Sequence, residues 1–232
     1  MKKEKITAIV LAAGQGKRMG GKTAKQYLLL DGRPLLYYAL YAFEKSAVDE
    51  IILVVKESEI PFCQKDIVEK YGFTKVTQVV SGGRERYHSV YQGLKAAGQT
   101  DYVLIHDGAR PFLTQDIISR AIVAVKKEKA CVVGMPVKDT IKIANADSYA
   151  TVTPNRKDVW MIQTPQAFSY DIILKAYEKI ITLDDAPITD AAMVLEKAEH
   201  IPVKLVEGSY CNIKVTTPED MKIAEVFVKD IF

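Results

Sequence analysis

Glycines and basic side chains follow directly on an apolar stretch near the start of the chain. Residues 6–11 (ITAIVL) are almost wholly apolar, which is typical of a parallel strand buried on both faces. Gly14 and Gly16 come next, and glycine lets backbone N–H groups approach an anion closely. Arg18 and Lys25 add positive charge within a few residues. The combination predicts a binding site for a polyphosphate.

Residues 16–23 also match the phosphate-loop pattern G-x-x-x-x-G-K-[ST] at every fixed position. In that pattern the loop begins where the strand ends, and its lysine opens a helix. Here the strand ends near Ala12, and residues 31–34 (DGRP) predict a turn soon after the match. This context disfavours a P-loop NTPase, which stays open as an alternative of a different class. The dinucleotide-binding pattern G-x-G-x-x-G/A, started at Gly14, is not matched, because it requires a small residue at position 19 and the chain has Met19 there.

The next part of the chain alternates predicted strands and helices. Strands are expected at residues 51–55, 75–80, 102–106 and 131–136, and helices at 33–45, 61–71, 87–97 and 115–129. This alternation predicts an α/β fold with one Rossmann-like, mainly parallel sheet and helices on both faces. Towards the end of the chain we expect helices at 170–180, from 189 onwards and at 219–228, with a strand at 203–207. Thr189 is the predicted cap of the second of these helices, and Thr217 with Asp220 forms a predicted capping box for the last.

The composition changes between residues 137 and 163, where short β-prone segments surround Asn145-Ala-Asp. A hairpin-like excursion of this kind exposes unpaired strand edges unless a partner covers them. Trp160, the only tryptophan, is a candidate partner contact. We therefore predict a single domain over residues 1–232, with a protruding β-arm insertion at about 137–163.

Length and composition bound the class of protein. The 232 residues are 48% hydrophobic, enough for a substantial core. The net charge is +3 and the 32 basic residues are spread along the chain, so a nucleic-acid surface is not indicated. Three cysteines without CxxC spacing fit a reducing compartment. With no apolar run of membrane-spanning length, we predict a cytoplasmic protein with neither nucleic acid nor membrane as a partner.

Further polar motifs follow the predicted strands, where ligands bind in open α/β sheets. Gly82 and Gly83 precede a predicted helix. Like Gly14 and Gly16, they can present backbone N–H groups to an anion. Asp107 ends the fourth strand, and a carboxylate beside a triphosphate is suited to Mg²⁺ or another divalent cation. We expect His106 to be packed, because phosphoryl chemistry requires no base there. Lys214, taken alone, is an ordinary surface lysine.

Five separated strings, in the same order, resemble the 2-C-methyl-D-erythritol 4-phosphate cytidylyltransferase family of the non-mevalonate isoprenoid pathway. They are L-A-A-G-Q-G-K-R-M followed by K-Q, G-G-x-x-R-x-x-S, H-D-G-A-R-P, Q-T-P-Q-A-F and N-I-K-V-T-T-P, and together they cover nearly the whole chain. The resemblance implies an enzyme that joins CTP and 2-C-methyl-D-erythritol 4-phosphate into 4-diphosphocytidyl-2-C-methyl-D-erythritol and releases pyrophosphate. It also implies a homodimer in which each arm reaches the site of the neighbouring subunit.

The same resemblance assigns roles to individual residues. It implies nucleotide binding by Leu11, Ala12, Ala13, Gly14, Gly16, Gly82, Gly83, Arg86, Ser89 and Asp107. Arg18 and Lys25 would stabilise the transition state, and Asp107 would also hold the metal ion. Lys214 and Arg156 would position the attacking phosphate, which completes a catalytic set of Arg18, Lys25, Arg156 and Lys214. The substrate-binding set is Thr140, Arg156, Thr164 and Lys214, of which the first three would reach the neighbour's polyol phosphate.

Two alternatives to this function remain open in the sequence. Ribitol-5-phosphate cytidylyltransferases share these loops, although H-D-G-A-R-P at residues 106–111, rather than H-D-A-V-R-P, favours the methylerythritol enzyme. A non-catalytic binding protein is disfavoured, because Arg18, Lys25, Asp107 and Lys214 occur together. Arg84 stands where many family members carry an acidic residue, so it is assigned no contact with the base.

Overall fold

A seven-stranded sheet forms the centre of the computed structural model, which describes residues 3–14, 24–181 and 188–231. The sheet consists of β1 (Ile6–Leu11), β4 (Glu50–Val55), β5 (Val76–Ser81), β6 (Tyr102–Asp107), β7 (Ala130–Pro136), β10 (Trp160–Ser169) and β11 (Lys204–Glu207). Two short hairpins lie outside it, β2 (Leu29–Leu30) with β3 (Arg33–Pro34) and β8 (Ile143–Ala144) with β9 (Ala150–Val152). The strand order in the sheet is β11-β7-β10-β6-β1-β4-β5.

Strand direction aligns the functional ends of four neighbouring strands. β1 lies parallel to β6 and β4, and β4 lies parallel to β5. In this register Leu11 pairs with Asp107 and with Val54, while Ser81 pairs with Val55. The carboxyl ends of β5, β4, β1 and β6 therefore meet at one edge of the sheet, where ligands bind in folds of this class.

Helices cover both faces of the sheet. They are α1 (Leu35–Glu44), α2 (Ile60–Phe62), α3 (Arg86–Ala97), α4 (Gln115–Glu128), α5 (Tyr170–Ile180), α6 (Ala191–Glu199) and α7 (Pro218–Ile231), and α2 continues as a π-helical stretch, Cys63–Glu69. Successive residues of β1 alternate between the two cores: Ala8 and Val10 pack on the side of α1, α4 and α7, and Ile9 on the side of α3, α5 and α6. This two-sided burial explains the unbroken apolar run and confirms the predicted α/β, mainly parallel fold.

Some predicted elements differ from the observed ones. β10 is antiparallel to both β6 and β7 and lies between them. Its first residues, Trp160–Gln163, were counted with the arm from sequence, but three of the four pair with β7 in the main sheet. The rest of the predicted arm is the segment 137–159, with the β8–β9 hairpin near its centre, and its protrusion stays a prediction. The cap of α6 is Asp190 rather than Thr189, since the Asp190 carboxylate accepts from the Met193 N–H at 2.8 Å.

The capping box of α7 is observed as predicted. The Thr217 hydroxyl accepts from the N–H of Asp220 at 3.3 Å, and the Asp220 carboxylate accepts from the N–H of Thr217 at 2.9 Å. Pro218 is the first residue of the helix, a position where its missing N–H costs nothing. In the described part of the chain, none of the helices combines the length and apolar character needed to span a membrane.

Candidate functional site

A cleft of about 830 Å³ lies at the shared edge of β1, β4, β5 and β6. This volume is in the range of small-molecule sites. Eleven of the residues proposed from the sequence line it: Leu11, Ala12, Ala13, Gly14, Lys25, Gly82, Gly83, Arg86, Ser89, Asp107 and Lys214. Residues more than 200 positions apart in the chain are thus brought to one site by the parallel register of the strands.

The two glycines after β5 allow two loops to pack against each other. A Cβ atom on Gly82 would lie 2.6 Å from the Ala13 Cβ and 2.8 Å from the Ser89 Oγ. The Gly82 N–H donates to Val55 O, and the Gly83 N–H donates to the Ser89 hydroxyl. Glycine is therefore required at position 82, because any side chain would separate the loop after β1 from the start of α3.

Asp107 is the anionic centre of the cleft. One carboxylate oxygen accepts from the Arg86 guanidinium at 3.1 and 3.2 Å, and the other lies 2.8 Å from the Lys214 Nζ. Burial alone would raise the pKa of Asp107, but the charges of Arg86, Lys214 and Arg110 outweigh it and hold that pKa far below its ordinary value. The carboxylate is therefore ionised throughout the neutral range, with a cation on each side.

His106 is a structural residue, as its position at a strand end suggested. Its ring is fully buried, with Nε2 3.2 Å from the Arg110 carbonyl and Nδ1 3.0 Å from the Thr164 hydroxyl. Because a carbonyl only accepts, Nε2 carries the proton, and Nδ1 accepts from Thr164. Burial lowers the pKa of His106 to about 4, so the ring is neutral at neutral pH and both of its nitrogens are engaged.

Thr164 is buried behind the end of β6, next to Asp107. Its side chain is buried, and its hydroxyl accepts from the N–H of Asp107 at 3.1 Å in the same chain. Its role in substrate binding stays a prediction, and the contacts observed for it are with the end of β6 in its own chain. The reason is topological: β10 enters the main sheet beside β6, and this packs Thr164 against the end of that strand.

The segment that carries Lys214 is tied to the end of β6 by a buried network. Asn212 is fully buried, and its side-chain amide donates to Thr164 O at 2.9 Å and to Gln163 Oε1 at 3.1 Å. The Arg110 guanidinium donates to Asn212 O at 2.7 Å, and the Val215 N–H donates to Ala109 O. These bonds fix the backbone on both sides of Lys214 and leave its ammonium group at Asp107. Arg110, for which the sequence indicated no definite role, thus holds the backbone next to Lys214 in place.

Thr140 and Arg156 lie on the arm, away from the residues that line the cleft of their own chain. Both are exposed, and the Arg156 guanidinium donates to Lys138 O at 3.4 Å. Gly16 and Arg18, the remaining two residues proposed from the sequence, fall outside the ranges that the structure describes. Their roles in phosphate binding remain predictions.

Lys56 and Glu57 line the cleft, although the sequence analysis did not single them out. They directly follow β4, whose carboxyl end lies between those of β1 and β5. The Lys56 ammonium is 3.5 Å from Glu59, which also accepts from the hydroxyl of Tyr27 at 2.8 Å. The rule that ligands bind at strand ends would have found both residues, had it been applied to each predicted strand in turn.

The donor set fits a divalent cation that is shared with a nucleotide. Within residues 3–14, 24–181 and 188–231 no cluster of three or more His, Cys, Asp or Glu side chains could enclose a metal ion by itself. Mg²⁺ is usually held by one or two carboxylates together with substrate phosphates and water. Asp107, a single ionised carboxylate that lines the cleft, meets that requirement.

Comparisons with known proteins agree with this geometry. The family model for 2-C-methyl-D-erythritol 4-phosphate cytidylyltransferase matches residues 6–230. The chain is 51% identical over 227 residues to the enzyme of that name from Lachnoclostridium phytofermentans, covering 98% of this chain and 97% of the relative. It is 50% identical over 225 residues to that from Lachnospira eligens, covering 96% and 99%.

Solved structures show the same relationship. The crystal structure of 4-diphosphocytidyl-2C-methyl-D-erythritol synthase from Anaerococcus prevotii superposes with a TM-score of 0.85 at 37% identity, covering 97% of this chain and 96% of that one. The cytidylyltransferase from Thermus thermophilus superposes with a TM-score of 0.77 at 27% identity, covering 95% and 98%. With the matched strings, the sheet topology and the cleft in agreement, the chain belongs to the 2-C-methyl-D-erythritol 4-phosphate cytidylyltransferase family.

Proposed function

We propose that this protein transfers the cytidylyl group of CTP to 2-C-methyl-D-erythritol 4-phosphate, forming 4-diphosphocytidyl-2-C-methyl-D-erythritol and pyrophosphate. The observation that carries the proposal is that one cleft is lined by Asp107, by three basic side chains and by two glycine-containing loops. The basic side chains are Lys25, Arg86 and Lys214. Family membership over nearly the whole chain supports the same reaction. The nucleotide-binding set of the sequence analysis, apart from Gly16, lines this cleft.

The reaction needs no general base. A phosphate monoester oxygen of the polyol attacks the α-phosphorus of CTP, a new P–O bond forms, and the bond to the β-phosphate breaks, so that pyrophosphate leaves. The barrier comes from bringing two anions together and from the negative charge that develops on the phosphate oxygens. Lys25 and Arg18 stabilise that charge, and backbone N–H groups of the loop after β1 bind the triphosphate. Neutral, buried His106 takes no part in proton transfer.

Lys214 positions the attacking phosphate. Its ammonium lies at Asp107 in the centre of the cleft, on a backbone fixed by Asn212 and Arg110. Asp107 would hold Mg²⁺ or another divalent cation, which when bound supplies positive charge to the triphosphate. The ionised state of Asp107, ensured by its cationic neighbours, suits a hard cation.

The arm serves a second subunit in this proposal. The two strands of the β8–β9 hairpin pair only with each other among the described residues, and an isolated hairpin is marginally stable in water. Three of its large apolar side chains, Ile143, Tyr149 and Val152, are more than half exposed, which favours a covering partner. A homodimer would cover them and bring Arg156 and Thr140 to the neighbour's cleft, where the polyol phosphate binds.

A pyrophosphate-release assay tests the proposal. Purified protein with CTP and Mg²⁺ is offered 2-C-methyl-D-erythritol 4-phosphate or ribitol 5-phosphate in parallel, and the four common nucleoside triphosphates are compared with the preferred acceptor. We expect release that depends on CTP and on the methylerythritol phosphate. Preference for ribitol 5-phosphate would show that the protein is a ribitol-5-phosphate cytidylyltransferase. Release of inorganic phosphate without an acceptor would identify a nucleotide hydrolase instead.

A further inference from the structure

Gln26 joins the two parts of the chain that form the triphosphate side of the cleft. Its side chain is only 2% exposed, and its carboxamide nitrogen donates to Ala12 O at 2.6 Å and to Gly14 O at 3.3 Å. Both acceptors lie in the loop that follows β1. Gln26 thus donates both of its amide hydrogens to carbonyls of one loop. Breaking either bond would leave a buried polar group unpaired, so the two bonds hold the side chain and the loop together as a clamp.

The clamp determines which way the loop presents its N–H groups. In a trans peptide the carbonyl and the following N–H point in opposite directions. Since the Ala12 carbonyl is turned towards Gln26, the N–H of Ala13 points away from it. Ala13 lines the cleft, and among the described residues no acceptor is found for its N–H. An N–H beyond a strand end that donates to none of the described residues is suited to be a preorganised donor for an anion.

The same residue fixes the segment that carries Lys25. Residues Lys25–Tyr27 form one 3-10 turn, so the backbone of Lys25 cannot move independently of Gln26. On the other side of Gln26, the Tyr27 hydroxyl donates to Glu59 at 2.8 Å and lies 3.1 Å from the Cys63 Sγ. The turn is thus anchored to the loop after β1 by one residue and to the helix after β4 by the next.

We propose that Gln26 is the positioning residue of the triphosphate site: it turns the Ala13 N–H towards the phosphates of the nucleotide and holds Lys25 in register with them. This inference rests on the proposed function in taking CTP as the nucleotide. Gln26 itself need not touch the substrate. It acts by aligning a backbone donor and a cation that belong to separate segments.

Gln26→Met tests the inference, because methionine has nearly the same length but cannot donate. We expect kcat/KM for CTP to fall about 10- to 100-fold, the usual range when a residue that orients a binding group is lost. The KM for the polyol phosphate should stay unchanged, since Lys214 and its supports are untouched. Gln115→Met is the matched control. The Gln115 amide donates to one backbone carbonyl, Ala42 O at 2.7 Å, outside the cleft lining, so this variant should keep both constants at their wild-type values.

A purely structural role for Gln26 predicts a different result. Both KM values would then stay as in the wild type, or both would change together while the melting temperature fell, and either result would overturn the inference. Hydrogen exchange of the wild-type protein provides a second test that needs no variant and no turnover. CTP should slow exchange at the Ala13 amide without changing exchange in β7, and an Ala13 amide unaffected by saturating CTP would overturn the inference even if Gln26→Met did not fold. Wild-type protein that binds CTP but forms no pyrophosphate would instead refute only the proposed function.

Discussion

At the scale of single residues, charge placement governs the site. Asp107 has a cation on each carboxylate oxygen, and these cations, Arg86 and Lys214, come from distant parts of the chain. Phosphate groups that enter the cleft meet cations already held in place by Asp107 and by backbone bonds. Because this arrangement exists before the substrate arrives, little reorganisation is required when charge develops in the transition state.

Lys25→Ala is expected to lower kcat by about 10²- to 10³-fold, the effect of removing one preorganised group that stabilises developing charge. Arg18→Ala should behave in the same way. Lys22→Ala is the matched control, because Lys22 is the lysine that a P-loop would require and has no role in the proposed reaction. Steady-state pyrophosphate release and a thermal melt of each variant make the comparison. If Lys22→Ala were inactive and Lys25→Ala active, the phosphate-loop alternative would return.

At the scale of elements, the aligned strand ends and the short connections between elements create the cleft. Most strands of the main sheet and most helix boundaries were predictable, because buried parallel strands give apolar runs and helices give a 3.6-residue period. The short strands β2 and β3 and the second half of β10 were not predicted. The position of Thr164 was not predictable. It depends on β10 running antiparallel between β6 and β7, and the direction of a strand within a sheet is set by long-range pairing that no local pattern records. The role of Asn212 was hidden for the same reason.

Gly82→Ala should weaken CTP binding at least about 10-fold and cost about 1 to 3 kcal/mol of stability, the usual effect of overpacking. The added Cβ would lie 2.6 Å from the Ala13 Cβ and so displace the loop that holds the triphosphate. Gly134→Ala is the control, since its Cβ would lie 3.0 Å from the Met161 carbonyl, outside the cleft lining. It should lower stability and leave CTP affinity intact. Titration with CTP and chemical denaturation measure the two effects, and equal affinity for both variants would contradict the assigned role of Gly82.

The capping box of α7 gives a prediction with a defined pH dependence. Burial raises the pKa of Asp220, but hydrogen bonds from Thr216 and Thr217 outweigh it, so the net pKa lies below the ordinary 3.8. A depressed carboxyl pKa adds stability that is complete above pH 3.8 and is lost as the pH falls through the folded-state pKa. Asp220→Asn should therefore destabilise the protein by about 1 kcal/mol at pH 7, a typical cap contribution.

The difference between wild type and Asp220→Asn should shrink as the pH is lowered below 3.8, because the wild type loses its carboxylate there. Urea denaturation of both proteins at several pH values measures it. A difference that is the same at pH 7 and at pH 3 would show that the charge of Asp220 is not what stabilises the start of α7. Glu219→Gln, a change in the same helical turn, is the control for general charge effects.

At the scale of the whole molecule, the cleft of one chain contains only part of the substrate-binding set predicted from the sequence. Lys214 lies in it, but Arg156 and Thr140 lie on the exposed arm. The change in composition was enough to predict an arm. What the arm contacts could not be predicted, because a single sequence does not identify the surface of a partner. The proposed homodimer resolves this by completing each cleft with the arm of the other subunit.

Mixing Arg156→Ala with Lys214→Ala should restore activity that neither variant has alone. A mixed dimer contains one site with both residues intact and one with neither. Random exchange at equal concentrations makes half of the dimers mixed, so we expect about one quarter of wild-type turnover. Turnover after co-refolding, with mixed dimers confirmed by affinity tags, provides the measurement. Mixed dimers without any recovery would mean that the two residues do not serve a shared site.

The central claim is that this cleft transfers a cytidylyl group, and the fate of the individual phosphates of CTP tests it most directly. CTP labelled at the α-phosphate and CTP labelled at the γ-phosphate are incubated separately with the protein, Mg²⁺ and 2-C-methyl-D-erythritol 4-phosphate. The proposed reaction sends the α-label into the diphosphocytidyl product and the γ-label into pyrophosphate. Appearance of the γ-label as inorganic phosphate, with the α-label remaining in CDP, would contradict it.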